Sequence, residues 1–379
     1  MRYIPYARQA IDSRDVNVVV DVLSSDYLTQ GPKVDEFERK VARYCGAKYA
    51  VAMNSGTSAL HAACFAANIK QGDEVVTSPI SFAASANCIL YCGGKPKFAD
   101  VFEDVVTIDP YIIKKCITQK TKAIIPVDFA GHPAELEEIK EIALKHNLTV
   151  IEDAAHALGA EYKGEKTGCC KYSDMAILSF HAVKHITTGE GGMVLTNRRS
   201  LYDKLVMFRS HGISRDRRML VKKNKAGWFY EMHYLGFNYR ITDIQCALGL
   251  SQMDKLDNFV RRRRKIAQFY KEAFRDTKEI RCLDEKDYIE SSWHIFPIRV
   301  RKNRDKIFDS LRNKGIGVNV HYIPIYYHPY YQKLGYKKGL CPKAERYYKE
   351  TITLPLYPQM SDSEVETVIK LAKRTVNNS

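Results

Sequence analysis

A chain of 379 residues is too long for one small core and calls for two domains of ordinary size. Apolar residues at 45%, charged residues at 27% and only 13 prolines exclude a disordered or low-complexity polymer. The net charge of +15 points to anionic partners: nucleic acid, an acidic membrane or a small phosphorylated ligand.

The spacing of apolar residues predicts helices over 14–24 (RDVNVVVDVLS) and 33–45 (KVDEFERKVARYC), the second opened by Gly31-Pro32. Strands and helices then alternate. YAVAM is a strand that runs into the turn Asn54-Ser55-Gly56-Thr57-Ser58, and the helix ALHAACFAAN follows. DEVVTSP, KPKFADV, TKAIIPVDF, LTVIEDAA, MAILSF and GGMVLT are further strands, with SFAASANCILYC and PAELEEIKEIALKHN as helices between them. Such alternation predicts an α/β fold with a mostly parallel sheet covered by helices. The near-continuous apolar runs AIIPV, TVI and MAILSF fit strands buried on both faces. After about residue 240 the pattern changes. A long helical stretch (TDIQCALGLSQMDKLDNFVRRRRKIAQFYKEAF) precedes a strand WHIFPIRV, a helix RDKIFDSLRNKG, a strand GVNVHYIPI and a C-terminal helix SDSEVETVIKLAKRTV. We therefore expect a large domain over 1–250 and a smaller α+β domain over 251–379.

Two segments concentrate the positive charge: Arg215-Asp216-Arg217-Arg218 with Lys222, Lys223 and Lys225, and Arg261-Arg262-Arg263-Arg264-Lys265. The second has helical spacing and reads as a solvated helix face. Aromatic residues do not interleave with either as an RNA platform requires, so nucleic acid is not an expected partner. No run approaches the roughly 18 uninterrupted apolar residues of a spanning helix, and MRYIPYARQAIDSRD carries no apolar signal core. The ten cysteines contain no CxxC pair and read as reduced, mostly buried thiols of a cytoplasmic protein.

Ligands of open parallel sheets bind at the carboxyl ends of strands, and three polar features fall there. Ser55, Gly56, Thr57 and Ser58 stand at a helix N-terminus, where free N–H groups and the helix dipole attract an anion, although serine and threonine serve there equally as caps. Asp153 ends TVIED, a costly place for a carboxylate unless it is paired or caps a helix, and His156 follows three residues later. Ser179 ends MAILS, with Lys184 five residues on and the turn Gly189-Glu190-Gly191-Gly192 after it. An anion clamp, a strand-end carboxylate and a strand-end lysine together describe a pocket for pyridoxal 5'-phosphate. That cofactor needs a lysine amine for its aldehyde, an anion site for its phosphate and an acid for its ring nitrogen. Phe82, in SPISFAASAN, is positioned to stack on the ring or else is a core residue. His321 and His328 lack a third ligand at useful spacing, so no metal is expected.

The motifs YLTQGPKVDEFE, NSGTSALHAA, SPISFAASAN, IEDAAHALGA, SFHAVKHITTGEGG, FRSHG, GFNYRITDIQCALGLSQM and VHYIPIY span nearly the whole chain. On them the sequence resembles the DegT/StrS-type sugar-nucleotide aminotransferases, of the fold type I pyridoxal phosphate class. The resemblance implies that Lys184 bonds the cofactor aldehyde and that Asp153 pairs with the ring nitrogen. His156 lies near the ring oxygen, where many relatives have glutamine, and Phe82 stacks on the ring. Gly56 and Thr57, with the Ser179 hydroxyl, hold the phosphate. Asn238 reaches the phosphate of a neighbouring subunit's cofactor, which implies at least a homodimer. Tyr6, Thr29 and His321 are candidates for substrate contact by family position. Lysine rather than histidine at 184 points to amino transfer from L-glutamate, not dehydration. Within the family, PVDFAGHP and SFHAVKHITTGEGG look most like the enzymes of the pseudaminic acid pathway, which aminate C4 of a UDP-linked 4-keto-6-deoxy-N-acetylhexosamine. Amination at C3, or a dTDP- or GDP-linked sugar, stays open, as does a cofactor-binding regulator.

Overall fold

The computed structural model describes residues 3–223 and 226–378. Lys225, counted above among the basic residues, lies outside them.

The main sheet comprises β1 (Tyr49–Met53), β2 (Glu74–Thr77), β3 (Lys95–Phe98), β4 (Thr121–Ile125), β5 (Thr149–Asp153), β6 (Met175–Ser179) and β7 (Gly192–Thr196), in the order β1-β7-β6-β5-β4-β2-β3. Strand β7 pairs antiparallel with both β1 and β6, and the pairs from β6 to β3 are parallel. The fold is thus α/β with a mostly parallel sheet.

Alternation along each strand accounts for the apolar runs. Val51 and Met53 of β1 join Met175 and Ile177 of β6 in one core, while Ala50 and Ala52 join Ala176 and Leu178 in another on the opposite face. Both faces are covered, so no position of these strands tolerates a charge, and each buried Ile, Leu or Val adds about 1.5–3 kcal/mol. One cover includes α3 (Gly56–Ala66), α4 (Ala84–Tyr91) and α7 (Arg199–Arg209); the other includes α2 (Pro32–Cys45) and α8 (Asp243–Met253). Helix α6 (Leu136–His146) lies over β4 and β5. Of the two N-terminal helices, α1 (Ser13–Leu23) begins at Asp12 with a capping box closed by Asp15.

The long helical stretch after residue 240 is broken at Asp254-Lys255 into α8 and α9 (Leu256–Phe274). Helix α9 belongs to two cores. Leu256 and Val260 pack under the main sheet, whereas Ile266, Ala267, Tyr270 and Phe274 pack with the C-terminal elements. Those elements are β8 (Ile280–Cys282), β9 (Phe296–Val300) and β10 (Thr351–Leu354), an antiparallel sheet in the order β8-β9-β10, with α10 (Arg304–Asn313) and α13 (Asp362–Asn377). Ile4 also enters this C-terminal core. Helices α11 (Pro329–Lys333) and α12 (Pro342–Glu350) pack in a neighbouring core with Ile80 and Phe98.

Two expectations need correction. GVNVHYIPI is not a strand: its one ladder contact is an isolated bridge between Asn319 and Thr353, because Thr351–Leu354 takes the sheet position beside β9. Residues 319–323 line a cavity instead. The arginine run is not one solvated face either. Arg261 and Lys265 are exposed, but Arg263 is fully buried, and its Nη1 donates to the carbonyls of His294 and Leu356, each at 3.0 Å.

Candidate active site

A cavity of about 720 Å³ opens at the carboxyl ends of β5 and β6 and is closed on its far side by residues 319–323 and His294 of the C-terminal part. Ser55, Gly56, Thr57, Phe82, Asp153, His156, Ser179, Lys184, Tyr6 and His321 all line it. Thr29 and Asn238 do not. Both are exposed; Thr29 bridges Thr242, and the carbonyl of Asn238 lies 3.4 Å from the Asn54 amide.

Ser55 caps α3, its hydroxyl accepting from the Ser58 N–H at 3.1 Å. The cap uses the Ser58 N–H and the Ser55 carbonyl takes that of Ala59, so the N–H groups of Gly56 and Thr57 are left at the open end of the helix. A Cβ on Gly56 would stand 3.1 Å from that of Ser179, which puts the Ser179 hydroxyl at the same helix end. A Cβ on Gly192 would lie 2.2 Å from the Ser55 carbonyl oxygen, so only glycine lets β7 start this close to the cap. Two N–H groups, a hydroxyl and the positive end of a helix dipole make an anion site.

Asp153 is 3% exposed. Its Oδ2 accepts from the Ser85 hydroxyl at 2.6 Å, and its Oδ1 accepts only a long contact, 3.3 Å, from the Ala155 N–H. Burial pushes its carboxyl above the usual carboxylate range; Ser85, Ala155 and the charge of Lys184 oppose the rise. Oδ1 is therefore the oxygen with capacity for a further donor.

Lys184 sits in the connection between β6 and β7, closed by Thr188 N–H to Phe180 carbonyl (3.0 Å) and Phe180 N–H to Gly191 carbonyl (2.9 Å). Its Nζ is 3.4 Å from His294 Nε2. Burial pulls the amine down to about 7, with Asp153 opposing and Arg263 assisting. At neutral pH a large share of the amine is unprotonated, as a nucleophile or base must be.

A ring of histidines surrounds this amine. His156 shares a hydrogen bond with the Tyr322 hydroxyl through Nε2 (3.1 Å), and its Nδ1 is buried with no partner among the described residues. His321 is held by Thr353 at 2.9 Å, with its ring 5.6 Å from that of Tyr6. Burial keeps His156, His185 and His294 well below the ordinary imidazole range and His321 down to about 4, so all four are neutral. Phe82, 63% exposed, offers its ring to the cavity and is not a core residue. Sequence reasoning missed Ser85, His185, His294 and Tyr322. Ser85 lies on the helix after Phe82, one turn from it; His294 and Tyr322 stand inside apolar runs where nothing in the spacing sets them apart, and His185 is overshadowed by the lysine beside it. Among the described residues no group of three or more metal-ligating side chains gathers, and no helix is long and apolar enough to cross a membrane.

Residues 9–373 match the DegT/DnrJ/EryC1/StrS aminotransferase family. The chain belongs to that family. It is an aminotransferase. It is similar to the UDP-4-amino-4,6-dideoxy-N-acetyl-β-L-altrosamine transaminase of Campylobacter jejuni, with 40% identity over 96% of this chain and 95% of the relative. The structure of Helicobacter pylori PseC, an aminotransferase involved in the biosynthesis of pseudaminic acid, superposes with a TM-score of 0.92 at 34% identity, covering both chains completely. The PLP form of the sugar aminotransferase Spr1654 from Streptococcus pneumoniae superposes equally well, with a TM-score of 0.92 at 30% identity over 99% of each chain.

Proposed function

We propose that this aminotransferase uses pyridoxal 5'-phosphate to move the amino group of L-glutamate to C4 of a UDP-linked 4-keto-6-deoxy-N-acetylhexosamine by a ping-pong route. The observation that carries the cofactor reading is the opening of a weakly basic lysine and a buried carboxylate onto one cavity, beside the N-terminus of α3. Other features of the wall fit the same group. Asp153 is buried with neutral donors at hydrogen-bond distance, and a protonated ring nitrogen at Oδ1 would supply the missing positive charge. The unpartnered Nδ1 of His156 suits a ring oxygen, the exposed Phe82 face suits an aromatic ring, and Gly56, Thr57 and Ser179 suit a phosphate.

Bound there, the cofactor would supply an electrophilic carbon and an electron-accepting ring. The protein's part follows from its own groups. Lys184, as a free base, would carry a proton to and from the substrate carbon. Asp153 would hold a proton at the ring nitrogen, and the exposed Phe82 face would pack against the ring.

The choice of sugar rests on the C. jejuni transaminase and H. pylori PseC, both similar along their whole lengths. The +15 charge suits a nucleotide diphosphate. Tyr6 and His321, on the C-terminal side of the cavity, are the proposed sugar contacts. Asn238 is exposed and lies away from its own cavity, beside exposed Leu235 and Phe237; this suits a homodimer in which it reaches the partner's cofactor phosphate, and Thr29 is offered to substrate in the same assembly. On this reading residues 1–250 bind the cofactor, residues 251–379 close the cleft, and the enzyme works in the cytoplasm, where nucleotide sugars are made.

The test is half-reaction spectroscopy. Protein loaded with pyridoxamine phosphate is offered UDP-, dTDP- and GDP-linked 3-keto and 4-keto sugars, and recovery of aldehyde absorbance is followed. The UDP-linked 4-keto-6-deoxy-N-acetylhexosamine should react fastest. Faster reaction of a 3-keto or dTDP-linked sugar overturns the substrate, and no uptake of the cofactor by wild-type protein overturns the whole reading.

A further inference from the structure

His294 lies 110 residues beyond Lys184 in sequence and reaches it from the C-terminal part of the chain. Its position is fixed from both sides. The His294 N–H donates to the Ala130 carbonyl at 2.9 Å, and its carbonyl accepts from buried Arg263 at 3.0 Å. The ring is 3% exposed, packs 4.4 Å from the ring of His156 and 5.6 Å from that of His185, and points Nε2 at the lysine amine. Its Nδ1 is buried with no partner among the described residues.

That orphan selects the tautomer. A proton on Nδ1 would bury an unsatisfied N–H, the rarer and costlier defect; a proton on Nε2 leaves only a bare acceptor at Nδ1. Doubly protonated imidazole is disfavoured by burial and by Lys184, His156, His185 and Arg263 around it. The charged or titratable groups facing the amine, besides His294, are Asp153 at the end of β5, His156 in the turn after it, His185 next to the lysine in the chain, His321 from the 319–323 segment and Arg263 from α9. Nε2–H therefore meets the Lys184 nitrogen, and only a neutral amine has a lone pair to accept it.

We infer that His294 is a further catalytic residue of this site, donating its Nε2–H to the lone pair of the free Lys184 amine and so favouring the un-ionised amine that the reaction requires. A contact of 3.4 Å is long, so rotation about the Cε–Nζ bond releases the lone pair when the amine acts. The inference rests on Lys184 being the reacting amine.

The test reads the amine without the cofactor. Full-length, cofactor-free protein is trace-acetylated between pH 5 and 10, and the Lys184 peptide is quantified by mass spectrometry to give its titration midpoint. His294→Leu keeps the site dry but removes the donor, and the midpoint should rise by about 0.7 unit, about a five-fold gain in proton affinity. His294→Asn, too short to reach, should rise alike. His294→Gln places an amide N–H near the same point and should return close to wild type. A midpoint that falls in the Leu and Asn variants means Nε2 accepts from the amine, and one that stays put means the ring only packs; either overturns the inference. So does an equal shift in the Gln variant. Pyridoxal phosphate uptake by wild-type protein is scored separately, so failure of the cofactor reading is distinguishable from failure of the histidine's role.

Discussion

Ser85 offers a sharp probe of the carboxylate at the heart of the site. Its hydroxyl donates to Asp153 Oδ2 at 2.6 Å and is itself 2.6 Å from the Ser81 hydroxyl; Ser85 and Asp153 are 1% and 3% exposed. Ser85→Ala leaves that oxygen without its donor. A hydrogen bond to a buried charged group contributes about 1.5–3 kcal/mol, and each pKa unit is about 1.4 kcal/mol. Asp153 should thus become easier to protonate by about 1–2 units. A protonated Asp153 cannot balance a protonated ring nitrogen, so activity is lost from the acid side. The acid limb of the L-glutamate half-reaction should move up by the same 1–2 pH units, with rates near wild type where both proteins are fully ionised. Stopped-flow absorbance across pH 5.5–9.5 reads this directly. Ser81→Ala, one bond further out, should move the limb by a few tenths only. Superposable profiles for wild type and Ser85→Ala would refute the reasoning, as would a loss of rate equal at every pH.

Asp128 is fully buried, with Oδ1 on the Ala134 N–H at 2.9 Å and its other oxygen facing Glu152. Burial and the Glu152 charge hold its carboxyl well above the usual range, so its contribution to stability is lost as pH rises; Asp128→Asn should escape this and be about 1–2 kcal/mol more stable than wild type at pH 8, the gap closing towards pH 4 in urea titrations. Lys184 runs the other way. Its amine is depressed from 10.5 to about 7, so the unfolded chain binds more protons between those values and stability rises with pH. Cofactor-free Lys184→Met should be more stable than wild type at pH 7 by about 2–4 kcal/mol, discounted for a cavity open to water, with the two thermal unfolding curves converging by pH 10. Parallel pH dependences would contradict it. Arg263→Ala removes the donor to three backbone carbonyls and leaves a cavity; a loss of about 3–5 kcal/mol in urea is expected, and an unchanged midpoint would show that those bonds contribute nothing.

Strands buried on both faces were easy to read, because AVAM of β1 and MAIL of β6 must be apolar whichever direction they run. Direction itself was not legible: GMVLT has the same composition as its parallel neighbours, yet runs against them. In the C-terminal part the alternating GVNVHYIPI reads as a strand, yet Thr351–Leu354 takes the place beside β9, which only the sheet's geometry decides. The cavity's near wall was legible because Gly56, Asp153 and Lys184 fall at strand ends in chain order. Its far wall was not. His294 sits in WHIFPIRV, where burial explains a histidine as well as chemistry does, and Arg263 sits in a run of like charges that conceals the one turned inward.

Helix α9 is seated at one end beneath the main sheet and at the other among the C-terminal strands. The two cores therefore share one rod rather than a tether. Arg263 rides on that rod and grips the histidine's backbone, so the placing of His294 against the amine depends on both cores at once.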